Sequence, residues 1–424
     1  MSDSNGLLAL NVRAGHPDFL DLPWSEALPD WTGRTPRLVQ VPRGISRHDV
    51  VFVSYGPAIY ALKDLPARIA ERESERLDQL EERGLPAVRR VGFARVKRVG
   101  DDDDAAVLIT RFLDGSLPYR ALFRQRGLER YHDRLLDAMA SLLVRLHVAG
   151  FYWGDCSLSN TLFRRDAGEL AAYLVDAETS EAYDQLSDGR REQDLMIMEE
   201  NVSGEIADVA AEMGLPAALA NSDTADDIRR RYERLWGEIS REVVLRPDER
   251  YKIHERIRAL NDLGFSVSEV ELVPAGGSDQ LRMRTIVTDR DYHRHQLHNL
   301  TGVVASEHQA SLMMQEIQEL KATMSSERNR SVPQSAAAFR WLDERYHHVL
   351  NAMAATTGPG TDVAELYCQV LEHKWFLSER AKHDVGLDVA IEDYRTRFGD
   401  RSGTRVLGAA SSSGPAPVDP ATGA

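Results

Sequence analysis

At 424 residues, with 42% hydrophobic and 28% charged residues, the chain has the make-up of a globular protein of two or three domains. Its formal net charge of -15 argues against nucleic acid as a partner, because affinity for a polyanion comes mainly from Lys and Arg neutralising phosphates. Two cysteines, Cys156 and Cys368, are too few for a disulfide framework and fit a reducing compartment.

No apolar run approaches the roughly 18 residues needed for a membrane span. The opening MSDSNGLLALNVRAG lacks the basic start and long apolar stretch of a signal peptide. A cytoplasmic location with no membrane span is therefore expected.

Residues 1–34 are rich in turn formers and carry the apolar anchors Phe19, Leu20, Leu22, Trp24 and Trp31, which suggests an extended segment laid along a domain surface. Three short strands are expected between 37 and 63, in RLVQV, VVFVSY and AIYALK, with PRGISRHD and GP as the intervening turns. A helix is predicted over 66–83, because Pro66 suits a first helical position and Ala70, Glu73, Leu77 and Leu80 share a face. VGFARVK and AAVLITRFL read as two further strands, and the GDDDD between them as a solvated hairpin turn. The order is thus three strands, one helix, two strands.

Helices dominate from there. Leu135, Met139, Leu142, Leu143 and Leu146 form one stripe over 130–149. FYWGDCSLSNTLF follows at 151–163, then a hairpin predicted from TLFRR, DAGE and AAYLVDAE, which places Asp176 at the end of its second strand. The pattern is helical again over 190–245. A third region opens near 246 with YKIHERIRALNDLG, a helix closed by Gly264. FSVSEVELV and LRMRTIVT read as strands around PAGGSD, and helices are predicted over 303–325, 334–352 and 361–398. The tail GAASSSGPAPVDPATGA is low-complexity and is expected to be disordered.

Five features occur in an order that suits phosphoryl transfer from ATP. Lys63 ends a strand and Glu73 sits on the next helix. A Gly-containing connector, RFLDGS, follows the fifth strand. Asp155 and Asn160 share a short loop, and Asp176 follows an apolar strand. Such chemistry uses a Lys to neutralise nucleotide phosphates and a Glu to hold that Lys. One Asp takes or orients the acceptor hydroxyl proton, while an Asn and a second Asp hold Mg²⁺, a hard cation that prefers oxygen ligands. Asp and Asn are also what ordinary turns prefer. The order of all five, not the loop alone, carries the reading.

With these residues the chain resembles the atypical branch of the protein-kinase-like fold, which includes lipopolysaccharide-core kinases, RIO-type kinases and small-molecule phosphotransferases. Gly154, Asp155, Ser157 and Asn160 match its "GD-x-S/H-x-x-N" loop, and Leu146, His147 and Gly150 match the preceding "LHxxG". The resemblance spans roughly 35–245. Beyond it, LNDLGFSV, LTGVVASEHQA and LEHKWFLSERA are similar to a bacterial family in which a kinase-like domain precedes a C-terminal domain of unknown function.

The resemblance implies an α+β architecture. The expected order is an N-terminal extended segment (1–34), a kinase-like N-lobe with a small antiparallel sheet (35–112), a helical C-lobe (113–245), a mostly helical α+β C-terminal domain (246–400) and the disordered tail (401–424). It implies Lys63 on the nucleotide phosphates with Glu73 as its partner, Asp155 as catalytic base, and Asn160 and Asp176 as Mg²⁺ ligands. Arg111, Phe112 and Leu113 would form the hinge that meets adenine, and Gly44 is the single glycine of the phosphate-covering loop. Three departures accompany it: the lone Gly44, the Ala-Glu after Asp176, and a Lys63–Glu73 spacing short enough that Glu71 or Glu75 is an alternative partner.

Other candidates receive plainer readings. His147 is expected to hydrogen-bond near the loop as a structural residue. Cys156 reads as a small filler, since no base accompanies it. His293, His295 and His298 read as surface histidines, and His373, Trp375 and Glu379 as a packing face. The functional expectation is an ATP- and Mg²⁺-dependent phosphotransferase acting on a hydroxyl of an unidentified small-molecule, saccharide or protein acceptor. The alternatives are a nucleotide-binding scaffold whose C-terminal domain engages a protein partner, and adenylyl transfer on the same fold.

Overall fold

The computed structural model describes residues 6–41, 47–97, 105–124, 132–214, 223–246, 249, 251–274, 281–289, 291–358 and 361–398. The fold is α+β. Its first layer is a five-stranded antiparallel sheet built from β1 (Leu7–Val12), β2 (Val50–Tyr55), β3 (Ala58–Pro66), β4 (Arg89–Val96) and β5 (Ala105–Arg111), in the order β1-β4-β5-β3-β2. Alternation along the strands sends Val53, Tyr60, Leu62, Val91, Val107 and Ile109 to one face, where they meet Phe19, Leu22, Trp24, Leu28 and Trp31. Trp24 and Trp31 pack edge to face at 5.5 Å, an arrangement favoured by the ring quadrupoles.

The N-terminal segment therefore does more than lie on a surface. Its LLALNV stretch becomes β1, an edge strand, and pairs with β4, from Leu7↔Val96 to Val12↔Gly92. Glycine is required at 92, since a Cβ there would stand 2.1 Å from the carbonyl oxygen of Asn11. RLVQV, by contrast, contributes only the bridge Leu38↔Val53. The loop 98–104, the segment 42–46 with Gly44, and the tail 399–424 lie outside the described residues.

The opposite face of the sheet carries α1 (Ala67–Glu82), whose buried positions are Ala67, Ala70, Glu73, Ser74, Leu77 and Leu80. These recur at helical spacing. The same amphipathicity that docks the helix drives Glu73 into the interior.

The helical lobe comprises β6 (Ser116–Pro118), α2 (Tyr119–Arg124), α3 (His132–Val148), β7 (Phe151–Tyr152), β8 (Thr161–Asp166), β9 (Glu169–Leu174), β10 (Glu181–Ala182), α4 (Asp188–Glu212) and α5 (Thr224–Ser240). Its central helix α3 buries Leu135, Leu136, Met139, Leu142, Leu143, Val144 and Leu146. A three-stranded sheet of β11 (Val243–Leu245), β12 (Ser266–Pro274) and β13 (Leu281–Asp289) comes next, with α6 (Tyr251–Asp262). Leu260 and Phe265 share the core of the helical lobe.

A separate core begins at Leu297 and is built by α7 (Tyr292–Thr301), α8 (Glu307–Glu327), α9 (Gln334–Trp341), α10 (His347–Met353), α11 (Val363–Ala381) and α12 (Leu387–Phe398). There His293 Nδ1 meets the carboxylate of Glu307 at 2.7 Å, so it is partnered, whereas His295 and His298 are exposed. His373 contacts Asp393 at 2.6 Å. Trp375 is 58% exposed and Glu379 is exposed, so the packing face expected for these three does not extend to them. No described helix is long and apolar enough to cross a membrane.

Candidate active site

Lys63 lies near the end of β3, paired in register with Val50 and with Leu108. Its neighbours Leu62 and Tyr60 point into the aromatic side of the sheet, so the pleat turns Lys63 towards α1. Its ammonium donates to both carboxylate oxygens of Glu73, at 3.1 and 3.3 Å, and to Asp176 Oδ2 at 2.7 Å. Among the glutamates of the helix, Glu73 holds the lysine, while Glu71 pairs with Arg95.

Asp176 arrives from the other lobe, two residues after β9. Its Oδ1 accepts the Glu178 backbone N–H at 3.0 Å. Asn160, just before β8, sits beside it because Val175 N donates to the Asn160 carbonyl at 3.0 Å.

The Asn160 amide nitrogen donates to Asp155 Oδ2 at 3.0 Å and to its backbone carbonyl at 3.1 Å. The acceptor atom of this amide is Oδ1. Asp155 Oδ1 accepts from Asn201 Nδ2 at 3.1 Å. A further donor crosses from the sheet lobe: Arg47 Nη2 stands 2.6 Å from Asp155 Oδ2.

The loop is held from beneath by α4. Asp194, wholly buried, accepts the backbone N–H of Trp153 at 2.7 Å, that of Gly154 at 2.8 Å, and His147 Nε2 at 3.2 Å. Glu205 accepts the N–H groups of Leu158 and Ser159 at 2.8 and 2.9 Å. Asp194, Asn201 and Glu205 are seven and four residues apart, one face of a helix, and all three face the loop. The sequence reading missed this trio because α4 is charge-rich. The available signal was polar residues at that spacing within the buried stripe of Leu195, Met198, Val202 and Ile206.

Gly154 has φ +79°, and a Cβ there would lie 2.9 Å from the Thr179 carbonyl oxygen and 3.0 Å from the Tyr152 ring. The arginine usual in typical kinase loops does not fit this backbone. His147 is fully buried between Asp194 and the Tyr232 hydroxyl, 2.8 Å from Nδ1. Burial depresses its pKa, so it is a neutral structural group. Cys156 is buried as a thiol, its pKa pushed well up by desolvation and then by Asp194. A thiolate nucleophile is excluded there.

The cleft carries four carboxylates, Asp155, Asp176, Glu73 and Glu178, against two permanent cations, Lys63 and Arg47. Desolvation first, then the neighbouring Asp176, pushes the Glu73 carboxyl up to about 7 even though Lys63 pulls it down. The Lys63 pKa is raised too, although its burial acts to lower it, because Glu73 and Asp176 both stabilise its charge. Excess negative charge on oxygen donors suits a divalent hard cation. Among the described residues no group of three or more His, Cys, Asp or Glu forms a ready-made metal cage. Such a cage is not required for Mg²⁺, which is commonly held by one or two carboxylates plus substrate phosphates.

Arg111, Phe112 and Leu113 join the two lobes. Phe112 N–H donates to the Ile59 carbonyl at 3.0 Å, and the Leu113 carbonyl accepts from Ser116 N and Oγ at 3.2 and 2.7 Å. Arg111 pairs with Asp114 at 2.9 Å, and Phe112 stacks edge to face on Phe52 at 5.7 Å. Two of the backbone groups expected at adenine thus already have internal partners.

A small antiparallel sheet with one helix, a helical lobe, and a Lys–Glu pair facing an Asp/Asn loop and a strand-end Asp define a kinase-like protein. Residues 58–215 match the model of the lipopolysaccharide kinase (Kdo/WaaP) family, and residues 234–398 match a domain of unknown function, DUF4032. The chain thus joins a lipopolysaccharide-kinase-like region to that C-terminal domain. A solved structure of WaaP in complex with acyl carrier protein is similar at 17% identity, covering 54% of this chain and 100% of that one, with a TM-score of 0.32. No curated protein matches.

Proposed function

We propose that the chain is an ATP- and Mg²⁺-dependent phosphotransferase that moves the γ-phosphoryl group onto a hydroxyl of an acceptor. The observation that carries this is the meeting, across one cleft, of Lys63 and Glu73 from the sheet lobe with Asp176, Asp155 and Asn160 from the helical lobe. Lys63, steadied by Glu73, would neutralise the nucleotide phosphates. Asp155, oriented by Asn160 and Asn201, would accept the acceptor's proton as its oxygen bonds to phosphorus and the bond from phosphorus to the ADP oxygen breaks, ADP leaving with the electron pair. Asn160 Oδ1 and Asp176 would hold Mg²⁺, which supplies neutralisation of the phosphate charge when bound. Two buried free cysteines and a need for ATP fit a cytoplasmic setting.

The test offers the 424-residue chain, with Mg²⁺ and ATP labelled at either the α- or the γ-phosphate, to fractionated small molecules, saccharides and proteins. Transfer of γ-label that Asp155→Asn abolishes supports the reading. Transfer of α-label points to adenylyl transfer instead, and nucleotide binding without any transfer points to a scaffold. Wild-type and Asp155→Asn proteins of equal activity would remove Asp155 from the mechanism.

A further inference from the structure

The segment leading into β2 reaches across the cleft with side chains. Arg47 Nη2 lies 2.6 Å from Asp155 Oδ2, and His48 Nε2 lies 3.2 Å from Glu178 Oε2. The backbone behind them is anchored to the lysine strand, since Asp64 N donates to the Asp49 carbonyl at 2.9 Å and Val50 is paired with Lys63. Arg47 therefore projects from a fixed point beside Lys63.

The donors on Asp155 are not equivalent. Asn160 and Asn201 belong to the lobe that carries Asp155 and are part-buried. The Arg47 side chain is 83% exposed and comes from the opposite lobe. An exposed ion pair of this kind contributes little and is readily exchanged. A guanidinium binds a phosphate through two parallel N–H donors, a stronger contact.

A carboxylate offers about four lone-pair sites. Asn160, Arg47 and Asn201 engage three of them, and the acceptor hydroxyl needs one. Resting on the phosphotransfer reading above, we infer that Arg47 is the terminal-phosphate residue of this site. It exchanges Asp155 for the γ-phosphate when ATP enters, which frees a site on Asp155 Oδ2 beside Asn160. A side-chain cation then performs what backbone N–H groups of a glycine-rich loop do elsewhere.

The experiment measures Mg²⁺-ATP and Mg²⁺-ADP dissociation constants for the full chain, for Arg47→Ala and for Arg47→Lys. Arg47→Ala should weaken ATP about tenfold, consistent with one lost charged hydrogen bond, while ADP changes less than twofold. Arg47→Lys should recover part of the loss. Equal weakening of ATP and ADP, or no change in either, overturns the assignment and leaves the phosphotransfer reading standing. Failure of the wild-type chain to bind either nucleotide overturns both.

Discussion

Asp194 offers the sharpest perturbation of the loop that carries Asp155. It is wholly buried and accepts three hydrogen bonds, from Trp153 N, Gly154 N and His147 Nε2, at 2.7, 2.8 and 3.2 Å. Asp194→Ala leaves three buried donors unpaired. At about 1–3 kcal/mol each, with partial relaxation, the loss should be about 4 kcal/mol, a large share of the roughly 5–15 kcal/mol that holds a domain folded. Asp194→Asn is the informative companion. Its single carbonyl oxygen can serve Trp153 and His147 or else Gly154, and in either pose the new NH₂ group opposes a backbone N–H. It should cost about 1–3 kcal/mol and lower turnover further than stability alone explains, because the loop holding Asp155 is displaced. Urea unfolding at neutral pH gives the stability, and γ-phosphate transfer at saturating ATP gives the rate. A loss below about 1 kcal/mol for Asp194→Ala would refute the claim that this carboxylate holds the loop.

Three further outcomes are expected. Gly154→Ala forces a Cβ to 2.9 Å from the Thr179 carbonyl at φ +79°, and should lower stability by about 2 kcal/mol in thermal unfolding. Glu73→Gln keeps the shape of α1 but weakens the hold on Lys63. It should reduce kcat/KM for ATP by about tenfold, with the circular dichroism unchanged. Asp166, buried against His308 and Ser306 with Arg164 nearby, has a depressed pKa: desolvation raises it, but those partners lower it further. Its contribution is therefore present above the unfolded value of roughly 4 and lost as pH falls through the folded one. The stability gap between wild type and Asp166→Asn, read from urea midpoints, should be smaller at pH 3 than at pH 5.

What could be read from the sequence follows from how local each signal is. Lys63, Glu73, Asp155, Asn160 and Asp176 could be named together because each sits at a recognisable junction, a strand end, a helix face or a tight loop. Chain order then limits how such junctions combine. The helix 67–82 and the central helix 132–148 were legible because their apolar periodicity is strong. β1 was not, because a six-residue edge strand takes its identity from a partner 80 or more positions away in β4. RLVQV erred in the opposite direction: its composition favours a strand, yet the described chain gives it only one bridge. Arg47 was invisible for the same reason as Asp194, since an arginine in a loop or an aspartate on a charged helix gains meaning only from what it meets in space.

The β8–β9 hairpin shows how the two halves of the chain bear on one another. Its open end carries Asn160 and leads to Asp176, pinned together by the Val175–Asn160 hydrogen bond of 3.0 Å. Its turn end enters the C-terminal unit. Asp166 meets His308 at 2.9 Å, the Ala167 N–H donates to Glu365 at 2.8 Å, and Arg165 pairs with Glu365 at 3.3 Å. A two-stranded hairpin alone is marginal in water. This one is supported along one edge by β6 and at its tip by the C-terminal unit. Between tip and open end the register Thr161↔Leu174 to Asp166↔Glu169 runs without a bulge. The C-terminal unit thus contacts the hairpin that carries Asn160 and leads to Asp176, without contributing a residue to the cleft contacts described.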